Sequence, residues 1–145
     1  MTAVVEYQAE LRTQAMHLQS QSLLITDAPT DNHGKGEQFS PTDLLATSLA
    51  SCMLTVMGIK AQQLNIPLKG FKLSVNKIME SNPRRVGAIE LTATIPTALQ
   101  QIDARDKHIL VKTAESCPVL KSLHPDLKIS VHWSEWTTEI AASGE

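Results

Sequence analysis

One long apolar segment, residues 41–63, constrains this sequence more than any other feature. Its start carries the signals of a helix N-terminus, because Ser40 suits the N-cap, Pro41 suits the first helical position, and Asp43 stands three residues after the cap. We therefore predict a helix that begins at Pro41 and runs to about Gln63.

The apolar side chains of this predicted helix extend well beyond a single stripe. One continuous face has steps of 4, 3, 4 and 3 residues: Leu45, Leu49, Cys52, Val56 and Ile59. Further apolar side chains widen that face: Leu44, Ala46, Ala50, Met53, Leu54 and Met57. A helix that is apolar on most sides is buried on most sides. In a chain of 145 residues, we expect this helix at the centre of the fold or under a second subunit.

The segments around this helix alternate between apolar and polar residues, as short strands do. Strands are predicted over residues 3–9, 11–18, 20–26, 71–79, 85–95 and 127–133. A second helix is predicted over residues 97–114 and one more helical turn over 119–123. The order is βββ-α-ββ-α-β, with strands grouped in hairpins, which indicates an α+β fold.

The segment of residues 27–41 is rich in Asp, Asn, Gly and Pro, so it is predicted to be a long ordered loop. Loops of this length in a compact domain are usually functional. The length of 145 residues fits one domain over residues 1–145. Within that domain, residues 137–145 are expected to be a frayed tail.

Composition and charge exclude several classes of function. No unbroken apolar run approaches the roughly 18 residues that span a bilayer, and the N-terminal residues do not resemble a secretory signal. A cytoplasmic protein without a membrane partner is therefore expected. The formal charge is −2, and the basic segment of residues 60–85 has only one aromatic residue, Phe71, and so lacks a platform for base stacking. No nucleic-acid partner is therefore expected. The five histidines lack metal-ligand spacing, so no metal site is expected.

The two cysteines, Cys52 and Cys117, are the strongest candidates for chemistry. Cytoplasmic thiols stay reduced, so the pair indicates packing or redox chemistry rather than a structural disulfide. Cys52 lies on an apolar face, where a free cysteine is often inert. Cys117 precedes Pro118, which predicts a helix N-cap that would stabilise its thiolate. A hydrolase that pairs Cys117 with His124 also stays open, although no orienting Asn or Asp can be assigned.

Two motifs resemble those of the OsmC/Ohr family. Residues 40–45 (SPTDLL) followed by 49–52 (LASC) resemble its central-helix motif, and residues 116–119 (SCPV) resemble its second cysteine motif. The order of elements is similar over nearly the whole chain. The resemblance implies an intertwined α+β homodimer and a thiol-dependent peroxidase that acts in oxidative or osmotic stress.

The resemblance also implies roles for individual residues. Cys52 would be the peroxidatic cysteine that attacks a small organic hydroperoxide or hydrogen peroxide, and Cys117 the resolving cysteine. Arg12, from the N-terminal strands, would stabilise the Cys52 thiolate. No cofactor is expected, and an external dithiol would serve as reductant.

The sequence departs from the family at one position. Hydroperoxide-specialised members have Glu directly after the motif proline, where this chain has Thr42. Asp43 lies about 180° from Cys52 around an ideal helix, so it suits the cap of Ser40 better than a contact with Arg12. Glu37 could brace Arg12 instead. Glu37, Thr42 and Asp43 are therefore candidates for bracing the arginine or lining the substrate pocket.

This departure makes the chain resemble the general OsmC-like branch more than the Ohr branch. It also motivates an alternative hypothesis from another functional class. On the same dimeric fold, the chain could be a small-ligand-binding stress protein with weak or no turnover.

Overall fold

The computed structural model describes residues 1–134 and 136. The chain divides into two compact units, Met1–Leu45 and Ala46–Glu145. That residues 1–145 form a single domain remains a prediction. The tail predicted to be frayed, residues 137–145, lies outside the described residues.

The first unit contains an antiparallel sheet in the order β1-β2-β3. Its strands are β1 (Ala3–Ala9), β2 (Arg12–His17) and β3 (Leu23–Asp27). Both faces of the sheet carry exposed apolar side chains, because Val5 and Tyr7 lie on one face and Val4 on the other. The turn between β1 and β2 passes through three residues with positive φ, Ala9, Glu10 and Leu11.

The predicted loop follows β3 and leads to the long helix. It contains a 3-10 turn over Thr30–Asn32, and the carbonyl oxygen of Pro29 accepts hydrogen bonds from the N–H groups of Asn32 and Gly34, both at 2.9 Å. Gly34 lies so close to the backbone of Ala28 that a Cβ atom would be 1.6 Å from the Ala28 oxygen. Only glycine fits this position, so the loop has a defined path.

Helix α1 spans Pro41–Gln63 and has the predicted bounds. The predicted capping box is confirmed, because the Ser40 N–H donates to Asp43 Oδ2 and the Asp43 N–H donates to Ser40 Oγ, both at 3.0 Å. Its buried residues are Ala46, Leu49, Ala50, Met53, Met57 and Ala61.

By length and composition alone, helix α1 could also cross a membrane. An 18-residue window within it reaches a mean hydropathy of 1.6, although Thr47, Ser48 and Ser51 interrupt its apolar residues. Core helices of soluble proteins share this property, and 33% of the window is buried within the chain. Some of its apolar residues stay exposed in the single chain, such as Ile59 at 55%.

The second unit contains a sheet in the order β4-β5-β6. Its strands are β4 (Lys72–Glu80), β5 (Arg85–Thr94) and β6 (Lys128–His132). The predicted hairpin is the antiparallel β4–β5 pair, whereas β5 and β6 run parallel. The helices between β5 and β6 therefore form a crossover, since parallel neighbours cannot be joined by a tight turn.

Two helices form this crossover, α2 (Ala104–Ala114) and α3 (Pro118–Ser122). The predicted start of the second helix at residue 97 is wrong, because Thr97–Leu99 is a separate 3-10 turn. Helix α2 begins later since Asp103 acts as its N-cap and accepts a hydrogen bond from the Arg105 N–H at 2.9 Å. The predicted turn after Cys117 is confirmed as α3.

The core of the second unit combines one side of β5 with apolar residues of α1 and α2. Ile89, Leu110 and Met57 are fully buried in it. Trp133 stacks at an angle on Phe71, and its indole N–H donates to Glu115 at 3.2 Å. The predicted α+β class and element order are confirmed.

Candidate functional site

Cys52 lies in the middle of helix α1 at the edge of the core. Its side chain is partly exposed, whereas its helical neighbours Leu49 and Met53 are fully buried. The helix thus presents this thiol at the boundary of the packed interior.

Cys117 occupies the N-cap of helix α3, as predicted, and is fully buried. The N–H of Leu120 donates to its Sγ at 3.4 Å. Burial raises the pKa of the Cys117 thiol above its ordinary value, and the neighbouring Cys52 thiol adds to this shift. The N–H groups of Leu120 and Val119 oppose the shift but do not overcome it. The expectation that the N-cap stabilises a thiolate is therefore outweighed by desolvation.

The structure brings the two cysteines together. The Cys52 thiol lies near enough to contribute to the raised pKa of Cys117, and both are free thiols. Two adjacent thiols can be oxidised to a disulfide, and one of them can condense with a sulfenic acid on the other. Among residues 1–134 and 136, no group of three potential ligands could hold a metal ion.

His124 is not part of this cysteine pair. Among the described residues, its hydrogen bond is with Asp126, whose N–H donates to His124 Nδ1 at 3.1 Å. It lines a separate cavity of about 340 Å³ together with Asn82, Pro83, Arg85, Val86, Asp126 and Leu127. The geometry gives no support to a hydrolase that pairs Cys117 with His124.

Arg12 is the first residue of β2, in the first unit, and carries a bidentate ion pair. Its Nε donates to Asp27 Oδ1 at 2.7 Å and its Nη2 donates to Asp27 Oδ2 at 3.0 Å. The two residues are paired across the β2–β3 ladder, so their side chains point to the same face. Asp27 is only 2% exposed, and Arg12 lowers the pKa of its carboxyl.

A second carboxylate reaches Arg12 from the loop. Arg12 Nη2 also donates to Glu37 Oε2 at 3.0 Å, and the Glu37 side chain is 62% exposed. The two carboxylates raise the pKa of Arg12 well above its ordinary value. Beside them, Lys35 forms an ion pair with Glu10 at 2.7 Å.

The sequence pointed to Arg12 and Glu37, but Asp27 was missed. Asp27 also accepts the N–H of Glu37 at 3.1 Å, and its own N–H donates to the Phe39 carbonyl at 3.1 Å. It therefore links the arginine to the loop. The pairing of β2 with β3 could have indicated it, because an acidic residue at the end of β3 lies opposite a basic residue at the start of β2.

The structure does not bring Thr42 or Asp43 to the arginine. Among described residues, the hydrogen bonds of Arg12 go to Asp27 and Glu37. Asp43 completes the cap of α1, and Thr42 Oγ1 lies 3.2 Å from Ser40 Oγ. A cavity of about 350 Å³ adjoins the arginine and is lined by Gln8, Ala9, Glu10, Arg12 and Lys35.

This chain was compared with models of protein families and with solved structures, and the two comparisons agree. The sequence model of a family described as OsmC-like protein matches residues 34–132. A crystal structure from Psychrobacter arcticus 273-4, described as an osmotic stress induced and detoxification response protein, is 52% identical with a TM-score of 0.85. The similarity covers 91% of this chain and 94% of that one.

More distant structures share the fold. An organic hydroperoxide resistance protein OsmC from Legionella pneumophila is 19% identical with a TM-score of 0.65, over 92% of this chain and 98% of that one. An OsmC-like protein from Mycoplasma pneumoniae is 20% identical with a TM-score of 0.70, over 90% and 92%. No match is found among curated proteins.

Proposed function

This chain belongs to the OsmC-like protein family, and on that premise we propose that it is a thiol-dependent peroxidase that reduces organic hydroperoxides or hydrogen peroxide. The adjacent thiols of Cys52 and Cys117 are the observation that carries the proposal. Related structures are described as a detoxification response protein and an organic hydroperoxide resistance protein, which supports a role in oxidative or osmotic stress defence.

The reaction uses the two cysteines in sequence. The Cys52 thiolate attacks the terminal peroxide oxygen, the O–O bond breaks, and the leaving oxygen takes a proton and departs as an alcohol or as water. Cys52 is then a sulfenic acid, and attack by the Cys117 sulfur forms the disulfide and releases water. An external dithiol restores both thiols by exchange and is itself oxidised to a disulfide.

The burial of the two cysteines supports this division of roles. Cys52 is partly exposed, so a dissolved peroxide can reach it. Cys117 is buried and its thiol pKa is raised, which keeps it protonated while Cys52 reacts first. A protonated thiol is a poor nucleophile toward peroxide, so Cys117 suits the resolving role.

Arg12 supplies the cation in this proposal. Thiolate formation is favoured by a nearby positive charge, and Arg12 keeps its charge at any working pH because its pKa is raised. Arg12→Ala should slow peroxide consumption by about tenfold or more.

We further propose that the protein acts in the cytoplasm as a homodimer and binds no cofactor. Support for the dimer comes from apolar side chains that the single chain leaves exposed. Val5 is 64% exposed, Tyr7 63% and Ile59 55%. Such side chains on several elements fit burial against a second copy.

The test is peroxide consumption with a dithiol reductant. Wild-type protein should consume cumene hydroperoxide catalytically, and Cys52→Ser should show only the rate of the reductant alone. Cys117→Ser without reductant should consume rapidly about one peroxide per Cys52, which becomes a sulfenic acid. With excess peroxide, mass spectrometry should then find the further oxidised sulfinic or sulfonic acid on Cys52. Equal rates for the wild type and Cys52→Ser would contradict the peroxidase proposal.

A binding function on the same fold is the second candidate. It is favoured by Thr42 at the position of the family Glu and by the cavity of about 350 Å³ beside Arg12. In that case small ligands would raise the melting temperature of the protein, and Cys52→Ser would bind them as the wild type does, without turnover.

A further inference from the structure

One side-chain hydrogen bond ties the segment that carries Cys117 to the end of the last strand. The indole N–H of Trp133 donates to Glu115 Oε1 at 3.2 Å, across 18 positions of sequence. Glu115 lies between helices α2 and α3, two residues before Cys117, and Trp133 directly follows β6. By contrast, the side-chain hydrogen bond of Ser116 is local, since its Oγ donates to the Lys112 carbonyl at 3.0 Å.

We propose that this bond, called here the Glu115–Trp133 tether, makes Glu115 and Trp133 positioning residues for the resolving step. The tether holds the Cys117 sulfur beside Cys52 and so raises the effective concentration of one sulfur at the other. The inference rests on the proposed function, which gives Cys117 the resolving role, but the effective concentration of the pair can be measured without any peroxide.

The Trp133 end of the tether is fixed to the sheet. Trp133 is 4% exposed, and its ring packs at an angle on Phe71 with the ring centres 6.4 Å apart. The next residue, Ser134, donates from its Oγ to the carbonyl of Ala93 in β5 at 2.8 Å. The indole nitrogen therefore has a defined place, and a hydrogen bond to it restrains the group at the other end.

The segment around Cys117 has few restraints of its own. Helix α3, which Cys117 caps, has five residues, and none of them is buried. A helix of this length is not stable by itself. Burial of the Cys117 side chain favours an inward position, but apolar burial is not directional, whereas a hydrogen bond depends on distance and angle. The tether thus supplies the directional restraint that burial lacks.

The resolving step makes a strict demand on this geometry. Attack of the Cys117 sulfur on the Cys52 sulfenic acid forms the S–S bond and breaks the S–O bond, and the hydroxyl leaves with the thiol proton as water. The two sulfurs end about 2.05 Å apart. A segment that is already held in place reaches this arrangement more often than a free one. Loss of the tether should therefore slow resolution.

The experiment measures the dithiol–disulfide equilibrium of the pair in mixtures of reduced and oxidised dithiothreitol. Cys52 and Cys117 give up two hydrogens and form their disulfide, while the dithiothreitol disulfide breaks and takes up those hydrogens. Alkylation of the remaining thiols and mass spectrometry give the disulfide fraction. Glu115→Ala removes the acceptor and should lower the equilibrium constant for the protein disulfide by about threefold to tenfold, the range that one hydrogen bond supplies. Glu115→Gln keeps an acceptor oxygen and should restore most of it.

The two tryptophans offer a matched pair of substitutions. Trp133→Phe removes the donor and should lower the equilibrium constant as Glu115→Ala does, and the double variant should fall no further than either alone. Trp136→Phe is the control. Trp136 also packs on Phe71, with ring centres 5.3 Å apart, but its buried indole nitrogen has no hydrogen-bond partner among the described residues. This variant should keep the wild-type equilibrium constant.

Several results would overturn the proposal. One is a wild-type equilibrium constant in Glu115→Ala, and another is an equal loss in Trp133→Phe and Trp136→Phe. A loss in Glu115→Gln as large as in Glu115→Ala would mean that the charge matters and not the bond. If Trp133→Phe does not fold, Glu115→Ala decides alone, because the Glu115 side chain is 39% exposed and its removal leaves the core intact.

A second readout uses peroxide and separates this inference from the proposed function. With slower resolution the Cys52 sulfenic acid survives longer, so Glu115→Ala should contain about threefold to tenfold more sulfinic acid on Cys52 than the wild type after the same dose of cumene hydroperoxide with a dithiol present. A protein that consumes no peroxide, but whose equilibrium constant falls in Glu115→Ala, would refute the proposed function alone. An active peroxidase in which Glu115→Ala leaves either quantity unchanged would refute the tether alone.

Discussion

At the scale of single residues, Cys117 is subject to two opposing influences. It caps helix α3, where backbone N–H groups favour a negative sulfur, and it is fully removed from solvent, which disfavours any charge. Burial dominates and raises its thiol pKa. Sequence alone could place the residue at a cap, but its burial depends on the packing of distant segments.

This raised pKa predicts how stability depends on alkaline pH. In the folded chain Cys117 keeps its proton above the ordinary thiol pKa of 9.0, whereas the unfolded chain releases it. The free energy of unfolding should therefore fall as pH rises above about 9, by up to about 1.4 kcal/mol per pH unit for this one group. Urea denaturation of the reduced protein at several pH values between 8 and 10.5 measures the slope.

The matched control for this slope is Cys117→Ala. Its free energy of unfolding should decline less steeply over the same range, because the titrating group is absent. Parallel curves for the two proteins would mean that burial does not hold the proton on Cys117.

At the scale of elements, helix α1 and helix α2 show which helix boundaries can be predicted from sequence. The bounds of α1 were predictable because Ser40, Pro41 and Asp43 form a local capping motif. The start of α2 was mispredicted because Asp103 offers a cap inside a segment that is otherwise compatible with helix. A capping residue indicates where a helix can begin. When a segment offers more than one such position, packing decides which of them is used.

The cap of α1 also gives a prediction about stability. Asp43→Ala removes the acceptor for the Ser40 N–H at a helix start that is buried at Ser40. We expect a loss of about 1 kcal/mol in the free energy of unfolding, measured by urea denaturation. Gln63→Ala, at the exposed end of the same helix, is the control and should change stability by less than about 0.5 kcal/mol.

Pairing between strands was less predictable than the strands themselves. Asp27 was missed because its contact with Arg12 depends on the register of β2 and β3, which are joined by a loop rather than by a two-residue turn of known geometry. The parallel pairing of β5 with β6 was missed for the same reason, since two helices separate these strands. The candidate arginine site depends on contacts between residues far apart in sequence, so it was predicted only in part. The two cysteines could be identified because each lies in a short sequence motif.

At the scale of the whole molecule, the N-terminal sheet leaves large apolar side chains in solvent on both faces. Val4, Val5 and Tyr7 are each at least half exposed. A monomer rarely keeps so many apolar side chains together on its surface. The proposed homodimer would cover them.

This exposure predicts the outcome of one substitution. Wild-type protein should elute as a dimer in size-exclusion chromatography with light scattering, and Val5→Lys should shift it toward monomer. The substitution places a charge among apolar side chains that the dimer would bury. Lys128→Gln, at an exposed position of β6 in the other sheet, serves as the control and should remain dimeric. A monomeric wild type would contradict the dimer.

The hydrogen bond from Trp133 to Glu115 gives the molecule an optical readout of its own. Glu115 stands two residues before Cys117, and the indole of Trp133 is bonded to it at 3.2 Å. The chain has two tryptophans, Trp133 and Trp136, and both stack against Phe71. Movement of the segment that carries Cys117 alters the surroundings of an indole, so intrinsic fluorescence can follow the cysteine in real time without an attached label.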